Sequence, residues 1–130
     1  MAAKVLVVED DAEFLQLLQL LLEKGGFLTL PSGSAAAALR WLDDPAGKPD
    51  VVLLDLGLPG PMDGIALCKA LKKNAATRSI PVVILTGRAE NKARLEAALA
   101  RADVVLHKPI NSADLIEALN AVLDQPRSQT

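Results

Sequence analysis

Five short runs of β-branched or apolar residues punctuate the chain, at 5–8, 27–30, 51–54, 82–85 and 104–106. Continuous rather than alternating apolar character fits strands covered on both faces. Between the runs the apolar positions fall at helical spacing. A first helix is expected from about residue 12 to 24, with Leu15, Leu18 and Leu22 on one face and Gly25-Gly26 ending it. A second is expected over about 34–42, capped by Ser32 or Ser34 and broken by Asp44-Pro45 and Gly47. Asp63 is placed to cap a third over about 64–72. A fourth, about 90–100, is Ala-rich, with Leu95 and Leu99 as its only large apolar residues. A fifth, about 112–123, carries Leu115, Leu119, Val122 and Leu123 on one stripe behind Asn111 as cap. Strands and helices alternating at this spacing predict βα units around a parallel sheet, an α/β domain.

The 130 residues suit one domain, expected over 1–125, with the polar stretch 126–130 as a tail or the start of a linker. At 51% hydrophobic residues the chain can bury a sizeable core, and its only aromatics are Phe14, Phe27 and Trp41. Trp41 is expected to pack on the second helix. The formal net charge is −2 with no run of one sign, so no basic stripe argues for nucleic-acid binding. Cys68 is the single cysteine, which excludes an internal disulfide and reads as a small core residue. No apolar run approaches the ~20 residues of a membrane span. The N-terminus lacks an apolar signal core, so a cytoplasmic location is expected.

The chemistry collects where the runs end. The first run is followed by Glu9-Asp10-Asp11, the third by Asp55, the fourth by Thr86 and the fifth by His107-Lys108-Pro109. Ligands of open parallel sheets bind beyond the carboxyl ends of the strands, at the topological switch point. With strand order 2-1-3-4-5, the first and third strands are neighbours there and Asp10 faces Asp55. Two carboxylates about 4 Å apart repel by roughly 4 kcal/mol at an effective dielectric of ~20, and Glu9 adds to this. Such a cluster calls for a cation. Oxygen ligands without His or Cys favour Mg²⁺, with Lys108 as a second positive charge. Read alone, Asp11 is better explained as a helix cap, and His107 as structural, since the chain holds no second histidine.

These segments resemble the response-regulator receiver domains of two-component signalling. Val5-Leu6-Val7-Val8-Glu9-Asp10-Asp11 is similar to the family's opening acidic motif. Val51-Val52-Leu53-Leu54-Asp55-Leu56, with Leu58-Pro59-Gly60 and Met62-Asp63-Gly64, is similar to its phosphoacceptor segment. Pro81-Val82-Val83-Ile84-Leu85-Thr86-Gly87 and Lys108-Pro109 complete the set, and the resemblance covers about residues 3–124. It implies a flavodoxin-like, doubly wound sheet of five parallel strands, order 2-1-3-4-5, with five helices. It implies that Asp55 takes a phosphoryl group from a phosphohistidine of a histidine kinase or histidine phosphotransfer protein. Mg²⁺ would be held by Asp10, Asp55 and the backbone carbonyl of Gly57, with Glu9 acting through water. Thr86 would donate to the phosphoryl oxygens and Lys108 would pair with Asp55 and then with the phosphoryl group. Pro109 would follow a cis bond, as is usual in the family. Such a module signals rather than turning over substrates, and switches the surface around the fourth helix, fifth strand and fifth helix. Homodimerisation through those helices is compatible with it.

The chain departs from the family pattern in places. The loop from Leu58 to Gly64 has one residue more than the common form, either Gly60 or Pro61. Arg101 stands where glycine usually takes a left-handed conformation at a helix end. Val105 replaces a usual aromatic and Ile110 a usual Phe, so the switch is expected to operate without an aromatic rotamer change. Gly57 and Arg88 occupy the positions, two residues after Asp55 and Thr86, that tune loss of the phosphoryl group to water. Two other readings are an N-terminal fragment of a longer regulator and an Mg²⁺-dependent aspartyl phosphatase. The second lacks the acid-base Asp that class has two residues after its nucleophile, where this chain has Gly57.

Overall fold

The computed structural model describes residues 2–58, 60–87, 92, 96–98 and 100–124. The strands are β1 (Lys4–Val8), β2 (Leu28–Ser32), β3 (Val51–Asp55), β4 (Val82–Thr86) and β5 (Val104–His107). They form one sheet in the order β2-β1-β3-β4-β5, every neighbouring pair parallel. Helices α1 (Ala12–Lys24), α2 (Ala35–Asp43) and α3 (Gly64–Lys73) and a final helix (Ser112–Leu123) are complete, with a 3₁₀ turn at Pro45–Gly47. Helical residues 92 and 96–98 mark the fourth helix. Its expected start at Glu90, its Leu95 and Leu99, the positions Pro59 and Arg88, and the expected tail lie outside the described residues.

Side chains alternate across the pleat and create two cores. On one face Leu6, Val8, Val52, Leu54 and Ile84 meet Ala38, Leu67 and Leu71 of α2 and α3, with Ala97 and Ala100. On the other, Val5, Val7, Leu53, Val83 and Leu85 meet Leu18 and Leu22 of α1 and Leu115 and Leu119 of the final helix. Both faces are covered, which is why β1, β3 and β4 show unbroken apolar runs.

The caps decide where helices start. Asp11 Oδ1 accepts from the N–H groups of Glu13 (3.0 Å) and Phe14 (3.2 Å). Ser34, not Ser32, caps α2, Asp63 caps α3 and Asn111 caps the final helix. Ser32 instead ends β2 and its hydroxyl donates to the Val7 carbonyl at 2.9 Å. The second strand also runs later than its apolar signal: Phe27 is buried just before it, and β2 continues through Pro31. An edge strand tolerates that proline because one of its sides has no ladder partner. Trp41 is half-buried, its indole N–H donating to the Pro31 carbonyl at 2.8 Å. Cys68 is fully buried and its thiol donates to the Ala100 carbonyl at 3.3 Å. Among the described residues, no helix is long and apolar enough to cross a membrane.

Candidate functional site

The carboxyl ends of β1, β3 and β5 bring the acids and the lysine together. Glu9 and Asp10 follow β1, and Asp55 ends β3, the adjacent strand. One carboxylate oxygen from each of the three lies within 4.8 Å of the others. Glu9 and Asp55 are buried, while Asp10 is exposed at the rim. Lys108, just past β5, reaches across with its Nζ 3.4 Å from Glu9 Oε1 and 3.6 Å from Asp55 Oδ1. Its backbone N–H donates to the Thr86 carbonyl at 2.8 Å, tying it to the end of β4. The Lys108-Pro109 bond is cis, as the resemblance implied.

Local backbone orients the acids. The Gly57 N–H donates to Asp55 Oδ1 at 3.2 Å and the Asp11 N–H donates to Glu9 Oε2 at 3.1 Å. The Glu9 carboxyl is pushed up to about 7, chiefly by burial and further by the charge of Asp55, against the opposing effects of the Asp11 N–H and Lys108. Among the described residues Lys108 is the only cation contacting these acids, so three carboxylates face one ammonium. That imbalance, together with an all-oxygen donor set open at Asp10, fits a hard divalent cation such as Mg²⁺.

The expected site residues therefore converge: Glu9, Asp10, Asp55 and Lys108 directly, Gly57 through its N–H. Thr86 is placed by register, being buried at the end of β4 one residue beyond Leu85, the partner of Asp55. His107, the partner of Thr86, is half-buried on β5, and its Nε2 is buried without a hydrogen-bond partner. Two further contributors were given no role from sequence, Gly64 being named only within a motif and as a helix start. The Phe14 ring lies 4.7 Å from Lys108 Nζ, holding the ammonium by a cation–π contact. A signal existed: Phe14 is an aromatic on the first turn of α1, four residues after Asp10. Gly64 packs its backbone against β3: a Cβ there would meet the Asp55 carbonyl and come within 2.6 Å of Leu56 Cα. Its N–H donates to the Leu56 carbonyl at 3.2 Å, which draws the start of α3 against the end of β3.

A doubly wound sheet with an acidic, lysine-bridged pocket at its carboxyl edge defines the class of phosphoacceptor signalling domains. Comparison with known proteins places it further: the model of the response regulator receiver domain matches residues 5–120, and the chain belongs to that family. It is 37% identical over 123 residues to the phosphate regulon transcriptional regulatory protein PhoB of Escherichia coli (strain K12), covering 95% of this chain and 52% of the relative. The chain thus spans about half the length of the curated relatives it matches. A solved signal receiver domain of a signal transduction histidine kinase from Syntrophus aciditrophicus superposes with a TM-score of 0.86 at 30% identity, covering 99% of this chain and 98% of that one. A receiver domain from Clostridium thermocellum gives a TM-score of 0.84 at 31% identity, covering 94% of each chain.

Proposed function

We propose that Asp55 is the phosphoacceptor and that the pocket around it is the reaction centre of this receiver. The observation that carries the reading is the convergence of Glu9, Asp10 and Asp55 within 4.8 Å, opposed among the described residues by Lys108 alone. In the step, an Asp55 carboxylate oxygen attacks the phosphorus of a phosphohistidine on a kinase or phosphotransfer protein. The P–N bond breaks, the imidazole leaves and takes up a proton, and an aspartyl phosphate remains. Phosphoryl transfer needs in-line positioning and neutralisation of oxygen charge more than acid-base work. Gly57 N–H and Lys108 hold the Asp55 carboxylate in place. Lys108 then pairs with the new phosphoryl oxygens, and Thr86 donates its hydroxyl to them. Asp10, Asp55 and the Gly57 carbonyl would hold Mg²⁺, with Glu9 at one remove through water, and the ion when bound neutralises charge on the transferring oxygens.

Two charge-assisted hydrogen bonds to the phosphoryl group are worth about 3–6 kcal/mol, comparable with the ~5.5 kcal/mol needed to move an equilibrium from 1:99 to 99:1. The pocket can therefore bias the surface of the fourth helix, β5 and the final helix. Two features support a signalling role over hydrolysis of small phosphoesters: Gly57 carries no acid-base group, and the relatives are regulators. Transcriptional control, the activity named for the PhoB relative, is a reading for a longer protein of which this receiver would be one part. Labelling with acetyl phosphate and Mg²⁺ tests the assignment. One phosphoryl group on the wild type and none on Asp55→Asn is expected, and labelling that persists in the variant would move the acceptor elsewhere.

A further inference from the structure

The chain uses the same helix-ending motif twice, with different residues at its critical position. After α1, the Phe27 N–H donates to the Leu22 carbonyl and the Gly26 N–H to the Glu23 carbonyl, both at 3.0 Å, with Gly26 at φ +91°. After the fourth helix, the Ala102 N–H donates to the Ala97 carbonyl (3.0 Å) and the Arg101 N–H to the Ala98 carbonyl (3.1 Å). The residue at the left-handed position is there Arg101, at φ +64°. Glycine adopts this conformation without steric cost and arginine does not. Backbone geometry therefore does not favour Arg101 over glycine at this position.

That exposed side chain lines a groove of about 460 Å³ with Lys69, Lys72, Lys73, Arg78 and Ala100. The groove lies at the amino-terminal edge of the sheet, opposite the acidic pocket. Lys72 is committed to the fold: its Nζ donates to the carbonyl of Ile80 (2.8 Å) and to Asp103 (3.1 Å). Lys69, Lys73, Arg78 and Arg101 have no carboxylate partner among the described residues. Four uncompensated cations thus share one concavity in a chain whose formal net charge is −2. Guanidinium forks and ammonium groups together match clustered phosphate oxygens. Among the described residues no aromatic side chain lines the groove to stack a base, and Ala100 is the only apolar contributor, which disfavours a nucleic-acid strand or a protein segment anchored by apolar side chains.

We propose that this groove is a second ligand site, independent of Asp55, that takes a compact polyphosphate, with Arg101 held in its strained conformation to complete it. The test is calorimetric titration of the full chain with inorganic triphosphate at low salt, with EDTA present so that metal chelation contributes nothing. A single site is expected, weakened about tenfold or more in the Lys73→Gln/Arg101→Gly double variant and unchanged in Asp55→Asn. The double variant should melt no lower than the wild type, because glycine relieves the backbone, and should still be labelled by acetyl phosphate. ATP in place of triphosphate separates the two sources of the same chemistry: equal affinity supports a free polyphosphate, tighter binding a nucleotide. No binding at low salt, unchanged affinity in the double variant, or displacement of triphosphate by an oligoglutamate peptide at equal charge would overturn the proposal.

Discussion

Glu9 shows how placement changes the chemistry of an ordinary side chain. Its carboxyl, raised to about 7 chiefly by burial, binds a proton in the metal-free fold that the unfolded chain has already released above about pH 4.5. The folded state therefore holds more protons across that window, and its stability falls as pH rises through it. Without metal, the melting temperature is expected to decline from pH 5 to 8, and Glu9→Gln should flatten the decline. A slope unchanged in that variant would contradict the account. Lys108 carries the opposite charge in the same pocket, at 30% side-chain exposure. Replacing it with alanine leaves Glu9 and Asp55 without their ammonium and should cost about 1–3 kcal/mol in metal-free denaturant unfolding. Burial also raises the Cys68 thiol, to about 11. Iodoacetamide at pH 8 should leave the native protein unlabelled and label one thiol after denaturation.

Among the elements, the junction of β3 and α3 is tightly constrained. Gly64 begins α3 where a side chain would strike the backbone of Asp55 and Leu56. Gly64→Ala must push α3 away from the acceptor strand, and a loss of about 1–3 kcal/mol is expected together with slower acetyl-phosphate labelling. Stability and labelling rate both at wild-type values would show that this junction yields more easily than its packing suggests. The helix end at Arg101 behaves in the opposite sense. Arg101→Gly alone should stabilise the fold by about 1 kcal/mol by removing a left-handed non-glycine residue, read from chemical denaturation.

Over the whole molecule, charge is divided between two ends of one sheet. Acids gather beyond the carboxyl ends of β1 and β3, and Lys69, Lys73, Arg78 and Arg101, without a carboxylate partner among the described residues, line the groove at the amino-terminal edge. Anything that binds the acidic end only in the folded state stabilises the entire domain by mass action. Mg²⁺ at about 100 times its dissociation constant should add roughly 2.7 kcal/mol of stability, and this increment should vanish in Asp10→Ala/Asp55→Ala. Beryllofluoride with Mg²⁺ is expected to shift amide signals at 96–105, where the fourth helix passes into β5. Shifts confined to the loops holding Asp10, Asp55 and Lys108 would mean that the pocket does not communicate with that surface.

Much of this was legible along the chain because local physics writes local patterns. Unbroken apolar runs of four residues marked β1, β3 and β4, and short polar side chains marked the caps at Asp11, Ser34, Asp63 and Asn111. Acids and a lysine at strand ends, together with the family resemblance, indicated which residues would meet. Other properties arose only in three dimensions, because they depend on distances that sequence separation does not encode. Glu9 and Lys108 are 99 positions apart and become an ion pair only once the sheet is ordered β2-β1-β3-β4-β5. The raised Glu9 carboxyl depends on burial, and the Phe14 contact on where α1 leans over the pocket. The basic groove draws on α3, the loop after it and the turn before β5, which no periodicity links. Sequence settled which groups are available and which elements carry them; tertiary packing settled which of them share a low-dielectric neighbourhood, and through-space electrostatics then set their chemistry.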